Sequence, residues 1–199
     1  MKSINIYINE ALKLGRPRYK YQPKTKKELQ ELLKQLMEER GNDGDFNDID
    51  TSEITDMFGL FANSKFNGDI SRWNVSNVTD ISSMFSGCLY FNGDISKWDV
   101  SNVKDMQYMF FNCKSFNNDI SNWNVSKVSN MSYMFYGCTN FNQDISKWDV
   151  SNVINMGFMF NGCKSFCKDI SKWNISNVIN LFNMFVGCPI EEKYKPKFK

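Results

Sequence analysis

The sequence predicts an α/β repeat solenoid, in which each coil has short parallel strands and a short helix, with a helical cap at the N-terminus. Three observations carry this prediction. A phrase of 25 residues recurs five times, no residue is inserted or lost between these copies, and one copy is too short to bury its own apolar side chains. Neighbouring copies must therefore stack, which places equivalent residues in columns with about 4.8 Å between coils.

Four residue types mark the period, each once per copy. They are Trp73, Trp98, Trp123, Trp148 and Trp173; Cys88, Cys113, Cys138, Cys163 and Cys188; Phe66, Phe91, Phe116, Phe141 and Phe166; and Asp69, Asp94, Asp119, Asp144 and Asp169. A sixth, degenerate copy precedes them at residues 49–65, where Met57 and Phe61 match Ile81 and Phe85. This copy has no Trp and no Cys, so it extends the stack without the full set of columns.

The expected coil follows from the order of residues within one copy. The stretch WDVSNVKDM (98–106) has apolar and β-branched residues between turn formers, which predicts a short strand. In MQYMFFNC (106–113), the apolar residues have helical spacing, which predicts one or two turns of α- or 3₁₀-helix. The stretch NGDIS (92–96) then supplies the return turn.

The repeated phrase FNxDISxWDVSNVxxMxxMFxxC resembles the 25-residue repeat of BspA-like leucine-rich repeat proteins, which are bacterial surface proteins and lipoproteins. The resemblance covers residues 50–188. It implies a right-handed, leucine-rich-repeat-like solenoid that has no catalytic activity and serves adhesion or protein binding.

The polar N-terminus contains no apolar segment of the kind that export signals need, so a cytoplasmic location is expected.

Three regions are predicted: a helical capping segment at 1–45, the repeats at 46–188 and a basic tail at 189–199. The capping segment should contain one helix over residues 3–15 and a second between Thr25 and Gly41, where Thr25 and Glu28 form a capping box. Covering the apolar end of the first coil is the expected role of these helices, and binding a partner is the alternative.

A contact with nucleic acid is the weaker alternative for this segment. It contains a basic cluster interleaved with tyrosines: Arg16, Arg18, Lys20, Lys24, Lys26 and Lys27, with Tyr19 and Tyr21. The net charge of +2 for the whole chain gives no general case for nucleic acid or for a membrane surface, and no apolar run is long enough to span a membrane.

The conspicuous columns predict scaffold rather than chemistry. A straight column of cysteines cannot converge on a tetrahedral zinc ion, and the chain has no His, so a buried row of reduced thiols is expected. The Asp column and the Asn residues after each Phe are expected to accept backbone N–H groups at turns. A calcium loop at Asp43 fails because Asp48 stands where glycine is required. We expect no enzyme activity, no cofactor and no metal.

Recognition is predicted at the columns that vary between copies. These positions alternate with or follow core residues, so they should face solvent, yet several hold aromatic side chains. Some of them could instead stack on neighbouring coils as aromatic ladders. The predicted contacts for a protein partner are Lys104, Gln107, Tyr108, Phe111, Tyr133, Tyr136, Ile154, Phe158, Ile179 and Phe182.

Overall fold

The computed structural model describes residues 19–197. Two helical elements occur in this range: helix α1 at Lys26–Arg40 and a 3₁₀ turn at Glu192–Tyr194. From residue 42 onward the chain winds into six stacked coils, which we number coil 1 (42–65), coil 2 (66–90), coil 3 (91–115), coil 4 (116–140), coil 5 (141–165) and coil 6 (166–190).

The prediction of a helix between Thr25 and Gly41 is confirmed. The Thr25 hydroxyl accepts the N–H of Glu28, and the Glu28 carboxylate reaches back to the N–H of Lys24 (2.6 Å). Gly41 ends the helix with φ 74°. Four leucines of α1 are buried in one continuous core with the coils: Leu29, Leu32, Leu33 and Leu36. The other predicted helix, residues 3–15, lies outside the described residues.

Alternating backbone N–H groups hold one coil on the next. In coil 3, four N–H groups donate to carbonyls of coil 4: Met106 to Asn130 (3.0 Å), Tyr108 to Ser132 (3.1 Å), Phe110 to Met134 (2.9 Å) and Asn112 to Tyr136 (2.7 Å). The N–H groups of Met109, Phe111 and Cys113 close four-residue turns within the coil. The equivalent set of four bonds recurs at all five contacts between coils, and we call it the four-bond ladder.

The predicted leucine-rich-repeat-like α/β solenoid is wrong in its secondary structure. Within residues 19–197, parallel pairing is limited to isolated bridges such as Asp80↔Asp105, no extended strand forms, and no coil contains the predicted short helix. The reason in segment 106–113 is backbone geometry, because Tyr108 (φ 57°) and Asn112 (φ 56°) adopt left-handed conformations that a right-handed helix cannot include. Successive four-residue turns give the apolar residues nearly helical spacing without a helix.

The predicted strand at 98–106 is interrupted for a related reason. The Asp99 carboxylate accepts the N–H of Ser101, and the N–H of Val103 closes a turn on the carbonyl of Val100. Turn formation therefore uses the backbone groups that a strand would offer to its neighbours. Trp98 and Val100 alternate with the exposed Asp99, and the turn after Val100 returns Val103 to the core, so all three are buried as the sequence predicts.

Stacked aromatic rings fill the interior. Phe85, Phe110 and Phe135 lie one above another with 5.7 Å between ring centroids, and Phe110 also stacks on Phe116 at 3.9 Å. The tryptophan column is buried as expected, and each indole N–H donates to a carbonyl of the preceding coil, as Trp123 does to Ile95 (3.1 Å). Each coil thus satisfies the polar atoms of its neighbours inside an apolar core.

We expect a variant that lacks residues 107–131 to fold into a stack one coil shorter. The deletion joins Met106 to Ser132, which occupies the column of Gln107, so every ladder bond keeps its register. Cooperative unfolding in urea, followed by tryptophan fluorescence, would verify this.

The matched control lacks residues 107–130 and therefore retains one residue too many within the ladder. Since alternate N–H groups serve different bonds, this shift should abolish the cooperative transition. If both deletions unfold alike, the ladder does not set the register.

Candidate protein-binding surface

Five of the predicted contact residues form one aromatic cluster on the outside of coils 3 to 5. We call it the aromatic surface; it consists of Tyr108, Phe111, Tyr133, Tyr136 and Phe158. The rings of Tyr108, Tyr133 and Phe158 stack with 4.6 Å between successive centroids, and Phe111 stacks on Tyr136 at 4.9 Å. All five side chains are half-buried, because each ring covers the face of the next. The same residues therefore form the aromatic ladders predicted as the alternative to free, solvent-facing rings.

The backbone beneath this surface is left-handed. Tyr108, Tyr133 and Phe158 have φ between 57° and 59°, a region that bulky residues seldom occupy. Each is the third residue of a turn such as Met106–Met109, a position at which type II turns favour Gly or Asn. The same column holds small or turn-forming residues in the other coils, namely Gly59, Ser83 and Asn183.

Partial burial changes the acidity of the Tyr108 phenol. Desolvation raises the pKa of the Tyr108 phenol, and the adjacent Tyr133 raises it further. The phenol is therefore uncharged at neutral pH and can both donate and accept a hydrogen bond. The surface combines apolar ring faces with neutral polar groups.

The other predicted residues surround this cluster or lie apart from it. Phe182 meets Phe158 edge to face at 5.3 Å and is 64% exposed. The Gln107 side chain accepts a hydrogen bond from Asn130 (3.2 Å), which ties it to the next coil. Lys104, Ile154 and Ile179 are exposed in a separate column, which precedes the tyrosine column by four residues.

Sequence reasoning missed exposed apolar residues at both ends of the stack. Phe58 in coil 1 is 51% exposed and Val186 in coil 6 is 55% exposed. Matching the degenerate copy to the regular ones places Phe58 in the same column as Phe182, and this correspondence is readable from the sequence. Leu89 and Tyr90 are also exposed, at the end of coil 2.

The Asp column forms turns, as predicted, whereas the Asn column links neighbouring coils. The Asp94 carboxylate accepts the N–H and the hydroxyl of Ser96, and these hydrogen bonds lower the pKa of Asp94. The Asn92 N–H donates to the side-chain oxygen of Asn67 in the preceding coil (2.9 Å), and the same bond recurs in later coils. These exposed polar atoms are occupied by the scaffold itself.

The cysteine column is part of the core. Cys88, Cys113, Cys138 and Cys163 are free and buried, and the Cys138 thiol donates to the carbonyl of Phe110 (2.8 Å). Burial raises the pKa of all four thiols, and it raises that of Cys113 and Cys138 well above the ordinary value. Within residues 19–197, no group of three or more His, Cys, Asp or Glu side chains converges on a possible metal position.

Some members of the basic cluster are already paired with acids. Lys24 forms an ion pair with Glu53 (2.9 Å), and Lys26 forms one with Asp56 (3.0 Å). Tyr21 is buried rather than available for stacking on a base. Arg16 and Arg18 lie outside the described residues.

Comparison with known proteins gives one informative finding. The family described as "Mycoplasma protein of unknown function, DUF285" has a model that matches residues 27–137 and again residues 118–192. The two matches together span α1 and all six coils. No curated protein and no solved structure matches this chain. In the part of the chain that the structure describes, no helix is long and apolar enough to cross a membrane.

Replacing Tyr133 tests the left-handed backbone. We expect Tyr133→Gly to be more stable than Tyr133→Ala by about 1 kcal/mol, because both variants lose the stacked ring but only glycine relieves the positive φ. Urea unfolding of the two variants gives the comparison. Equal stability, or a more stable alanine variant, would contradict the assigned conformation.

Thiol labelling tests the cysteine column. At mild alkaline pH we expect Cys167 to react first with a disulfide reagent, since it is exposed, and the four buried thiols to react only after unfolding in urea. A Cys167→Ser variant should lose the fast phase and keep the rest. Cys188 is half-buried and is not counted among the four; rapid labelling of thiols other than Cys167 and Cys188 in the folded protein would show that the buried column is accessible.

Proposed function

We propose that this chain, which belongs to the family described as "Mycoplasma protein of unknown function, DUF285", is a non-catalytic protein-binding module whose contact is the aromatic surface. The coil stack then serves as a rigid support for Tyr108, Phe111, Tyr133, Tyr136 and Phe158. The resemblance of its repeat to BspA-like proteins supports the same class of function.

The observation that carries this proposal is the occurrence of bulky aromatics at a left-handed position in three consecutive coils. A left-handed conformation costs a residue other than glycine about 1–2 kcal/mol. Stacking between two rings returns about 0.5–1.5 kcal/mol beyond the ring area that it buries, so the backbone conformation offsets part of what each aromatic adds to stability. Coil 1 has Gly59 at this position, which shows that the scaffold does not require an aromatic ring there.

The physical properties of the surface suit a protein partner. Stacked, half-buried rings have little freedom left to lose on binding, which lowers the entropic cost of association. Tyrosine is enriched among residues that dominate binding energy at interfaces, because it offers a large apolar area together with a polar group. Exposed polar groups such as the Lys104 ammonium lie outside this patch, as expected for the rim of an interface.

The double substitution Tyr108→Ala and Tyr133→Ala should abolish partner binding while leaving the coils folded. Proteins that the wild-type chain captures from cells of its source organism are identified, and the affinity of a purified partner is then measured for each variant. Loss of both rings should weaken binding at least about 100-fold, as for the central residues of an interface.

Tyr90→Ala is the matched control, because Tyr90 is a tyrosine with 61% exposure that lies outside the aromatic surface. It should bind like the wild type. If the double variant retains full affinity, or if the control loses as much, the proposed surface is wrong. Localisation of the native product separates an intracellular partner from display at the cell surface.

A further inference from the structure

The last coil exposes a row of unused backbone donors. In coils 1 to 5, four N–H groups per coil enter the four-bond ladder, but coil 6 has no following coil. The equivalent groups are the N–H groups of Leu181, Asn183, Phe185 and Gly187, and none of them finds an acceptor among the described residues. We call this row the donor edge.

The first coil exposes the complementary row. The carbonyls of coil 1 that would receive a preceding coil are those of Asp56, Phe58, Leu60 and Ala62. None of them accepts a hydrogen bond from a residue in the range 19–197. We call this row the acceptor edge, and its spacing equals that of the carbonyls to which every internal ladder bonds.

A fifth hydrogen bond recurs between coils and has the opposite direction, and its unpaired groups also correspond at the two edges. At every contact between coils, an N–H of one recurring column points backwards, as from Ile179 to the carbonyl of Ile154 (2.9 Å). This series leaves the Ile179 carbonyl without a donor at one end and the Thr55 N–H without an acceptor at the other, again within the described residues. Both edges therefore carry the donors and acceptors that one further coil–coil contact needs.

Apolar side chains accompany these edges. Phe58 and Phe182 occupy the same column in coils 1 and 6, and more than half of each side chain is exposed. The four coils between them have polar or small residues in this column: Ser82, Gln107, Ser132 and Gly157. Apolar residues therefore occur in the column of Phe58 and Phe182 only where the stack ends. Ile179 (84% exposed) and Val186, from two other columns, also make the donor edge apolar.

Among the described residues, the segments at the two ends form no backbone hydrogen bond with either edge. The C-terminal segment covers another part of coil 6, where the Tyr194 carbonyl accepts the N–H of Ile170 (3.0 Å). Helix α1 contacts the acceptor edge through Lys26, whose ammonium lies 4.9 Å from the Phe58 ring centroid and 3.0 Å from the Asp56 carboxylate. Asn183 and Gly187 on the donor edge, like Asp56 on the acceptor edge, are exposed.

We propose that copies of this chain associate head to tail, with the donor edge of one copy on the acceptor edge of the next. By the register of the internal ladders, Leu181 would donate to Asp56 of the second copy, and Gly187 to its Ala62. Phe182 would then lie against Phe58 of the second copy as a neighbour in the same column. Such a contact is heterologous, so each added copy leaves both edges available for further growth. The inference is independent of the partner that the aromatic surface binds.

Sedimentation velocity of the full chain, from about 1 to 300 µM, tests this association over the range of a weak homotypic contact. The average mass should rise with concentration without reaching the mass of one closed oligomer. Phe58→Glu and Phe182→Glu each block one edge, and each variant alone should stay monomeric. An equimolar mixture should form a dimer and nothing larger, because one intact donor edge meets one intact acceptor edge.

Gln107→Glu is the control, since it places the same charge in the same column inside the stack, and it should associate like the wild type. Val186→Glu blocks the donor edge independently if Phe182→Glu disturbs folding, which circular dichroism would reveal. A monomeric wild type at the highest concentration, or a mixture that stays monomeric, overturns the proposal. The Tyr108→Ala, Tyr133→Ala variant should still associate, which separates this result from the test of the aromatic surface.

Discussion

The constraint on which the rest of the structure depends is the division of backbone N–H groups between two uses. Every second N–H in the ladder segment bonds to the next coil, and those between close turns within their own coil. A helix bonds every N–H within its own segment and a strand bonds its N–H groups to neighbouring strands, so neither combines the two uses. The coils can therefore lie close together while remaining built of turns, and the ring stacking of the core follows from that distance.

The columns could be predicted from the sequence, and the local conformation could not. Equivalent residues in stacked coils have equivalent environments, so a spacing of 25 residues places Trp123 or Cys138 in the core without knowledge of the backbone. Secondary structure depends instead on which N–H bonds to which carbonyl, and apolar spacing does not report this. Met106, Met109 and Phe110 have the spacing of a helix because successive short turns return side chains to the same side.

The candidate surface was predictable in its position but not in its conformation. Tyr108, Tyr133 and Phe158 lie where the comparison of columns placed them, on the outside of adjacent coils. Their left-handed backbone was hidden, because tyrosine and phenylalanine give no sign of a positive φ. Gly59 and Asn183 in the same column are the signal that could have indicated it. Reading the glycine and asparagine of a column as evidence about its other members is a general approach for repeat proteins.

The ladder also gives the stack an electrical polarity. In each four-bond ladder the N–H groups point from one coil toward the next, so their peptide dipoles add along the axis of the stack, and fewer bonds point the opposite way, as from Ile179 to Ile154. The end at coil 6 therefore has a partial positive charge and the end at coil 1 a partial negative charge, by the same summation that gives a helix its macrodipole. Unlike a helix, this assembly has four parallel rows of such dipoles. Each additional repeat lengthens all four, so the difference between the two ends is a property of the architecture and does not depend on charged side chains.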